Sequence, residues 1–173
     1  RFRNYFMKKK IAIITGISGQ DGSYLAHLLL KKKYLVIGTT RNIKKINLHN
    51  LKYLKIEKKI TIRQIDLTNY KQVNQLVKIN KPTEIYNLAG LTSVSKSFNN
   101  IFDTFKSVNL STLNILNSIY TLQLKTRFYN ACSSECFGNV LSGYANEKTI
   151  FNPISPYGVA KVNSFYITKL FRE

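Results

Sequence analysis

The run Ile11-Ala12-Ile13-Ile14-Thr15 passes directly into Gly16-Ile17-Ser18-Gly19-Gln20-Asp21-Gly22, and then into a segment with Leu25, Leu28 and Leu29 on one helical face. Few features constrain a fold more tightly. Three glycines at G-x-x-G-x-x-G spacing between a buried strand and a helix are what a dinucleotide-binding turn requires. Gly16 permits a tight turn, Gly19 lets the backbone approach a pyrophosphate, and Gly22 lets the helix pack closely, while the helix start offers N–H groups and partial positive charge. Glycines alone would also suit an ordinary strand-to-helix turn. Their place at the first strand of an alternating pattern favours the dinucleotide reading, with all seven residues from Gly16 to Gly22 as cofactor contacts.

That alternation continues along the chain. Apolar, β-branched runs predict strands over 11–15, 34–38, 60–64, 84–88 and 127–131. Helical periodicity predicts helices over 22–32, 70–79 and 101–122, and again from Tyr157 onward. The polar, lysine-rich stretch 42–59 reads as a surface loop with a short helix. Strands separated by helices at this spacing imply right-handed crossovers and an α/β fold, a Rossmann-type doubly wound parallel sheet with helices on both faces. Ligands of such sheets bind beyond the carboxyl ends of the strands. The expected organisation is an N-terminal extension over 1–9, beginning before the only methionine, Met7, and a cofactor domain over 10–173. Because the sequence stops inside a helical pattern, that domain is expected to be truncated at its C-terminal end, without a substrate domain.

Composition excludes several other classes. A formal charge of +19, from 27 Lys and Arg against 8 Asp and Glu, invites a nucleic-acid reading. The lysines are spread along the whole sequence rather than gathered on one predicted face, so no nucleic-acid partner is expected. No apolar run approaches the roughly 20 residues of a membrane span, and the start lacks the apolar core of a signal peptide, which makes the cytoplasm the default. Cys132 and Cys136 are the only cysteines, and His27 and His49 lie far off in sequence, so no metal site is expected. Their C-x-x-x-C spacing is not that of a usual redox pair, and two small buried apolar residues is the favoured reading.

After the second strand, Gly38-Thr39-Thr40-Arg41 places an Arg where an NAD site would usually offer an acidic side chain to the ribose 2′-hydroxyl. Arg41 suits a 2′-phosphate and favours NADP, though it also reads as a plain surface cation. Asp66-Leu67 ends the third strand near the expected adenine edge; Asp66 is equally able to cap the next helix. Downstream, Ser155-Pro156-Tyr157-Gly158-Val159-Ala160-Lys161 sets Tyr157 and Lys161 one helical turn apart on one face. A phenol ordinarily titrates near pH 10, and bringing it to neutrality takes roughly 4 kcal/mol of differential stabilisation, which Lys161 and an oxidised nicotinamide together would supply.

At this point the chain resembles the extended short-chain dehydrogenase/reductase superfamily and, within it, the GDP-mannose 4,6-dehydratases. "TGISGQDGSYLAHLLL", "KPTEIYNLAG", "RFYNACSSECFG" and "SPYGVAK" match that family's pattern in order and spacing, and the similarity covers residues 10–173. The segment "GQDGSYL" carries the subfamily assignment. The resemblance implies that GDP-mannose is oxidised at carbon 4 through NADP, loses water across carbons 5 and 6, and is reduced at carbon 6, giving GDP-4-keto-6-deoxymannose. It implies Tyr157 as base for the 4-hydroxyl, Lys161 as the residue that lowers the phenol pKa and holds the nicotinamide ribose, Ser133 as the hydroxyl binding the 4-oxygen, and Glu135 as base at carbon 5. Leu88, Ala89 and Gly90 after the fourth strand complete the expected cofactor contacts. It further implies a homo-oligomer, dimer or tetramer.

Leu91 and Ser93 stand where many members of the family have Gln and His, and Asp103 where some have a Tyr that contacts the cofactor. Glu135 also reads as a surface carboxylate or cap, and Ser134 is expected to face away on an extended backbone. Since members of the family continue into a C-terminal domain that grips the sugar nucleotide, the fragment by itself is expected to be inactive. The alternatives are another nucleotide-sugar epimerase or reductase of the superfamily, and a noncatalytic NADP-binding or nucleic-acid-binding module.

Overall fold

The computed structural model describes residues 9–140 and 143–173; the expected extension over 1–9, apart from Lys9, lies outside them. Five strands, β1 (Ile11–Thr15), β2 (Leu35–Thr40), β3 (Thr61–Gln64), β4 (Glu84–Asn87) and β5 (Arg127–Asn130), form one sheet in the order β3-β2-β1-β4-β5. Every pairing is parallel, as the crossovers require. The helices are α1 (Gln20–Lys31), α2 (His49–Tyr53), α3 (Tyr70–Asn80), α4 (Val94–Asn99), α5 (Ile101–Phe105), α6 (Ser111–Thr121) and α7 (Pro156–Arg172).

The two-residue period of β1 builds a core on each face. Ala12 and Ile14 pack with Ala26 and Leu29 of α1 and Leu51 of α2, whereas Ile13 packs with Val73, Leu76 and Val77 of α3 and Ile115 of α6. β1 lies between β2 and β4, so successive crossovers leave it in opposite directions. The crevice at its carboxyl end is the switch point where a doubly wound sheet binds its ligand.

Three expectations need correction. The stretch 42–59 does hold short helical turns, Ile43–Lys45 and α2, but it is not merely surface: Leu51 and Ile56 are buried in the first core. The single helix expected over 101–122 is broken by a π-helical turn, Lys106–Leu110, and is preceded by α4, which the periodicity did not suggest. The wider turn lets the adjacent residues Val108 and Asn109 both face inward. Finally, the lysines are not evenly spread in space. Lys31, Lys32 and Lys33 close α1, Lys58 and Lys59 lead into β3, and Lys78 and Lys81 close α3, all exposed at the end of the sheet opposite the switch point. Cations at helix C-termini meet the free carbonyls favourably, and these helices end on that side. Among the described residues no helix is long and apolar enough to cross a membrane.

Candidate active site

The glycine turn has the geometry its spacing predicts. Gly16 sits at φ 71°, and a Cβ there would lie 3.2 Å from the backbone nitrogen of Ala89. A Cβ on Gly22 would collide with the Gly16 carbonyl, so the first turn of α1 can rest on β1's exit only without a side chain. No side chain caps α1 at Gly19, which leaves the N–H groups of its first turn open. Gln20 and Asp21 are exposed around that opening, and the Ser18 carbonyl accepts from Asn50 Nδ2 at 3.3 Å. Ile17 is different: its side chain is wholly buried over Gly38, where any Cβ would strike it, so it can offer the crevice only its backbone.

Beneath the turn runs a polar network that sequence reasoning missed. Thr15 Oγ1 accepts from the N–H groups of Leu88 and Ala89, each at 3.0 Å, and donates to Asn87 Oδ1 at 2.9 Å. Asn87 Nδ2 in turn donates to Thr112 at 3.1 Å and to Asn130 Oδ1 at 3.0 Å, and Asn130 donates to Ser164 of α7 at 3.2 Å. The carboxyl ends of β1, β4 and β5 are thereby tied to the last helix. A signal was present: β4 and β5 both end in Tyr-Asn, and Asn is a poor strand residue unless its amide is used.

Arg41 follows β2 directly and is exposed, lining an open cleft with Arg63 and Asp66. Asp66 Oδ1 accepts from the backbone N–H and the hydroxyl of Thr68, at 2.9 and 2.8 Å. These bonds hold its carboxyl below the usual value against some burial, with Lys106 and Arg41 adding attraction. Asp66 is not the cap of α3, because Asn69 takes that place by accepting from Gln72 N at 3.2 Å. Leu67 is a core residue whose carbonyl accepts from Asn114 at 2.9 Å. Leu88 and Ala89 pack against the two cores on opposite faces, and Gly90 is exposed beyond them.

α7 delivers the reacting groups. Ser155 caps it through Gly158 N at 3.0 Å, Pro156 begins it, and Ser97 accepts from Tyr157 N at 3.2 Å. Gly158 lies so close to the Glu135 carbonyl that a Cβ would come within 2.6 Å, and α7 therefore rests on the short 3-10 turn Ser134–Cys136. Ser133, extended at φ −154° and ψ 149°, begins this turn, and its hydroxyl accepts from Glu135 N at 3.3 Å. Ser134 is exposed as expected, but because the chain turns rather than because it stays extended.

The four residues expected from the family pattern come together here. Tyr157 and Lys161 are each 7% exposed, with the Lys161 ammonium 5.7 Å from the centre of the Tyr157 ring and donating to the Ala131 carbonyl at 2.8 Å. Burial raises the Tyr157 pKa; a hydrogen bond with Ser133 lowers it, and Cys136, Cys132 and Glu135 raise it further. Burial lowers that of Lys161. The depressed phenol pKa expected from the spacing is thus not supplied by Lys161 by itself. Of the cysteines, Cys136 is fully buried as expected, but Cys132 is exposed and not a packing residue. Ser93 serves as cap of α4, accepting from Lys96 N at 3.3 Å, and Asp103 is exposed in the first turn of α5.

A sequence profile described as GDP-mannose 4,6 dehydratase matches residues 13–173. The chain belongs to the GDP-mannose 4,6-dehydratase family. It is 39% identical over 174 residues to the GDP-mannose 4,6 dehydratase of Drosophila melanogaster, covering 96% of this chain and 44% of that protein. To the Homo sapiens protein of that name it is 38% identical over 173 residues, covering 95% of this chain and 46% of the other. It therefore spans about half the length of the curated relatives it matches. Among solved structures, the UDP-Glc/GlcNAc 4-epimerase of Campylobacter jejuni superposes with a TM-score of 0.85 at 19% identity, over 94% of this chain and 49% of that one. A dTDP-glucose 4,6-dehydratase from Streptomyces venezuelae, solved with NAD and TYD bound, gives 0.82 at 19% identity, over 94% and 51%. At such identities these likenesses establish the fold that this member of the dehydratase family shares with them.

Proposed function

We propose that this chain is the amino-terminal, cofactor-binding part of an NADP-dependent enzyme that converts GDP-mannose to GDP-4-keto-6-deoxymannose. The observation that carries this reading is the meeting of Ser133 and Glu135, on one short turn, with Tyr157 and Lys161 on the helix packed against it.

The residues fit a dinucleotide. The Gly16 turn brings backbone rather than side chains to the crevice, the open N–H groups of α1 suit a pyrophosphate, and Arg41 offers a guanidinium to a 2′-phosphate. Asp66, lining the same cleft as Arg41, would meet the adenine edge, and Lys161 has further N–H donors for a ribose. Bound there, a nicotinamide would supply reversible two-electron redox chemistry, oxidising carbon 4 of the sugar and, after water is lost, reducing carbon 6. Ser133 holds the 4-oxygen and Tyr157 accepts the 4-hydroxyl proton, its phenolate balanced by Lys161. The resulting 4-ketone acidifies carbon 5, Glu135 takes that proton and passes it to the carbon-6 hydroxyl, and the carbon–oxygen bond at carbon 6 breaks to release water. Such ligands suit a cytoplasmic setting. Phe98, Ile101 and Phe102 expose apolar surface on α4 and α5 that suits a homo-oligomer. By itself this stretch of chain would bind cofactor yet turn over poorly.

Two measurements test the reading. Titration with NADPH and with duplex DNA at moderate salt should show binding of the former; tight DNA binding without NADPH binding would overturn it. In the complete enzyme Glu135→Gln should abolish conversion of GDP-mannose, since an epimerase or reductase needs no base at that position. Wild-type turnover by that variant would exclude a dehydratase.

A further inference from the structure

The two thiols of the chain flank the turn that carries Ser133 and Glu135, and their sulfur atoms stand 3.3 Å apart. A disulfide needs about 2.05 Å, so the sulfurs have little more than 1 Å to close. One thiol is exposed and the other fully buried. Burial, followed by the neighbouring Cys132, pushes the Cys136 thiol up to about 12, so Cys136 stays protonated and shielded. Only Cys132 is placed to meet an oxidant from solvent.

We propose that Cys132 and Cys136 form a reversible peroxide-sensitive disulfide that locks the Ser133–Glu135 turn. The Cys132 thiolate attacks a peroxide oxygen, the O–O bond breaks, and the departing hydroxide takes a proton to leave as water. The sulfur of Cys136 then attacks the sulfenic sulfur of Cys132, the S–O bond breaks, and the second hydroxide leaves as water with the Cys136 proton. Two thiols are oxidised and one peroxide is reduced. Cys136 N donates to the Ser133 carbonyl at 3.2 Å and its own carbonyl accepts from Asn152 N at 3.0 Å, so drawing its sulfur outward pulls on the start of the turn and on the segment that holds it in place. A bridge closed over so short a loop is strained and correspondingly easy to reduce. The bridge rests on the sulfur geometry alone; its effect on turnover rests on the dehydratase reading.

The test is peroxide treatment of the chain, followed by alkylation under denaturing conditions and intact-mass analysis. Because the chain has 2 cysteines, a monomer that has lost two hydrogens and resists alkylation contains this bridge and no other. The expected result is such a monomer, restored to two alkylated thiols by a dithiol reductant. Cys136→Ser should instead leave Cys132 to oxidise to sulfinic acid or to cross-link two chains. Two fully alkylated thiols after peroxide, or sulfinic acid in the wild type without the bridge, would overturn the proposal. In the complete enzyme, peroxide should suppress turnover reversibly in the wild type and not in Cys136→Ser. If the bridge forms but turnover is unaffected, the proposed lock is wrong; absence of any dehydratase turnover before oxidation instead defeats the functional reading.

Discussion

Asn109 reaches from the π-helical turn to α7, donating to the Ala160 carbonyl at 2.7 Å, one residue before Lys161. Among the described residues its own Oδ1 is the buried side-chain atom with no hydrogen-bond partner. With Ser97, which accepts from Tyr157 N, it pins the first turns of α7 from outside the reacting group itself. A residue so placed sets where Tyr157 and Lys161 stand without touching the sugar.

Replacing Asn109 with Ala removes the second donor of a carbonyl that α7 already engages, and the expected loss of stability is about 1 kcal/mol. Ser97→Ala should cost more, about 1–3 kcal/mol, because the buried Tyr157 N–H stands in a first helical turn where no intrahelical acceptor replaces the lost hydroxyl. Urea unfolding followed by circular dichroism measures both, and an unchanged midpoint for Asn109→Ala would show that the bond is not formed in solution.

Arg41→Ala should weaken NADPH far more than NADH, because only the former carries a 2′-phosphate. A charge-assisted hydrogen bond contributes about 1.5–3 kcal/mol, which corresponds to a tenfold to hundredfold change in dissociation constant. Calorimetric titration with both nucleotides decides the matter: equal weakening, or none, would make Arg41 a surface cation.

How much of this was legible beforehand follows from the kind of signal each feature leaves. The strand–turn–helix unit was readable because glycine spacing and β-branched runs are local, and every strand appeared within about two residues of its expected position, the ordinary uncertainty of element ends. Tyr157 with Lys161 was readable because helical period places i and i+4 together. The π-helical turn was not, since Asn109 is drawn inward by a carbonyl on a helix 51 residues away. Nor was the clustering of lysines, which only the common direction of the helices produces. Cys132 was misjudged because the turn after Ser133 exposes it, a fact of backbone geometry and not of residue type.

Glu84 at the start of β4 accepts from Tyr34 at 3.0 Å and Tyr86 at 2.7 Å and is ion-paired with Arg127. Burial raises its pKa, but the bonds from Tyr86 and Tyr34 and the charge of Arg127 outweigh this and hold it below its ordinary 4.5. A depressed carboxylate contributes stability that is present above its unfolded value and lost as pH falls through the folded one. Its partner behaves oppositely: burial, then Glu84, pushes Tyr86 up from 10.0 to about 12, so that contribution is complete below pH 10 and lost between there and about 12. Tyr86→Phe should lower stability at neutral pH by about 1 kcal/mol and flatten the alkaline loss. A stability profile identical to wild type above pH 10 would contradict this.

Tyr157 provides the test closest to the chemistry. Burial holds its phenol above the ordinary 10.0, so without a further cation it should titrate late, and its neutral form contributes stability that is lost as pH rises beyond that ordinary value. Oxidised NADP carries positive charge on the nicotinamide ring and the reduced form does not. The oxidised cofactor should therefore lower the phenol pKa more than the reduced one, and Lys161→Met should diminish the fall by removing the second cation. The ultraviolet difference titration of wild type against Tyr157→Phe isolates this phenol from the other tyrosines. Equal titration with both cofactors would mean that the nicotinamide does not lie beside Tyr157, and the roles assigned to Tyr157 and Lys161 would fall with it.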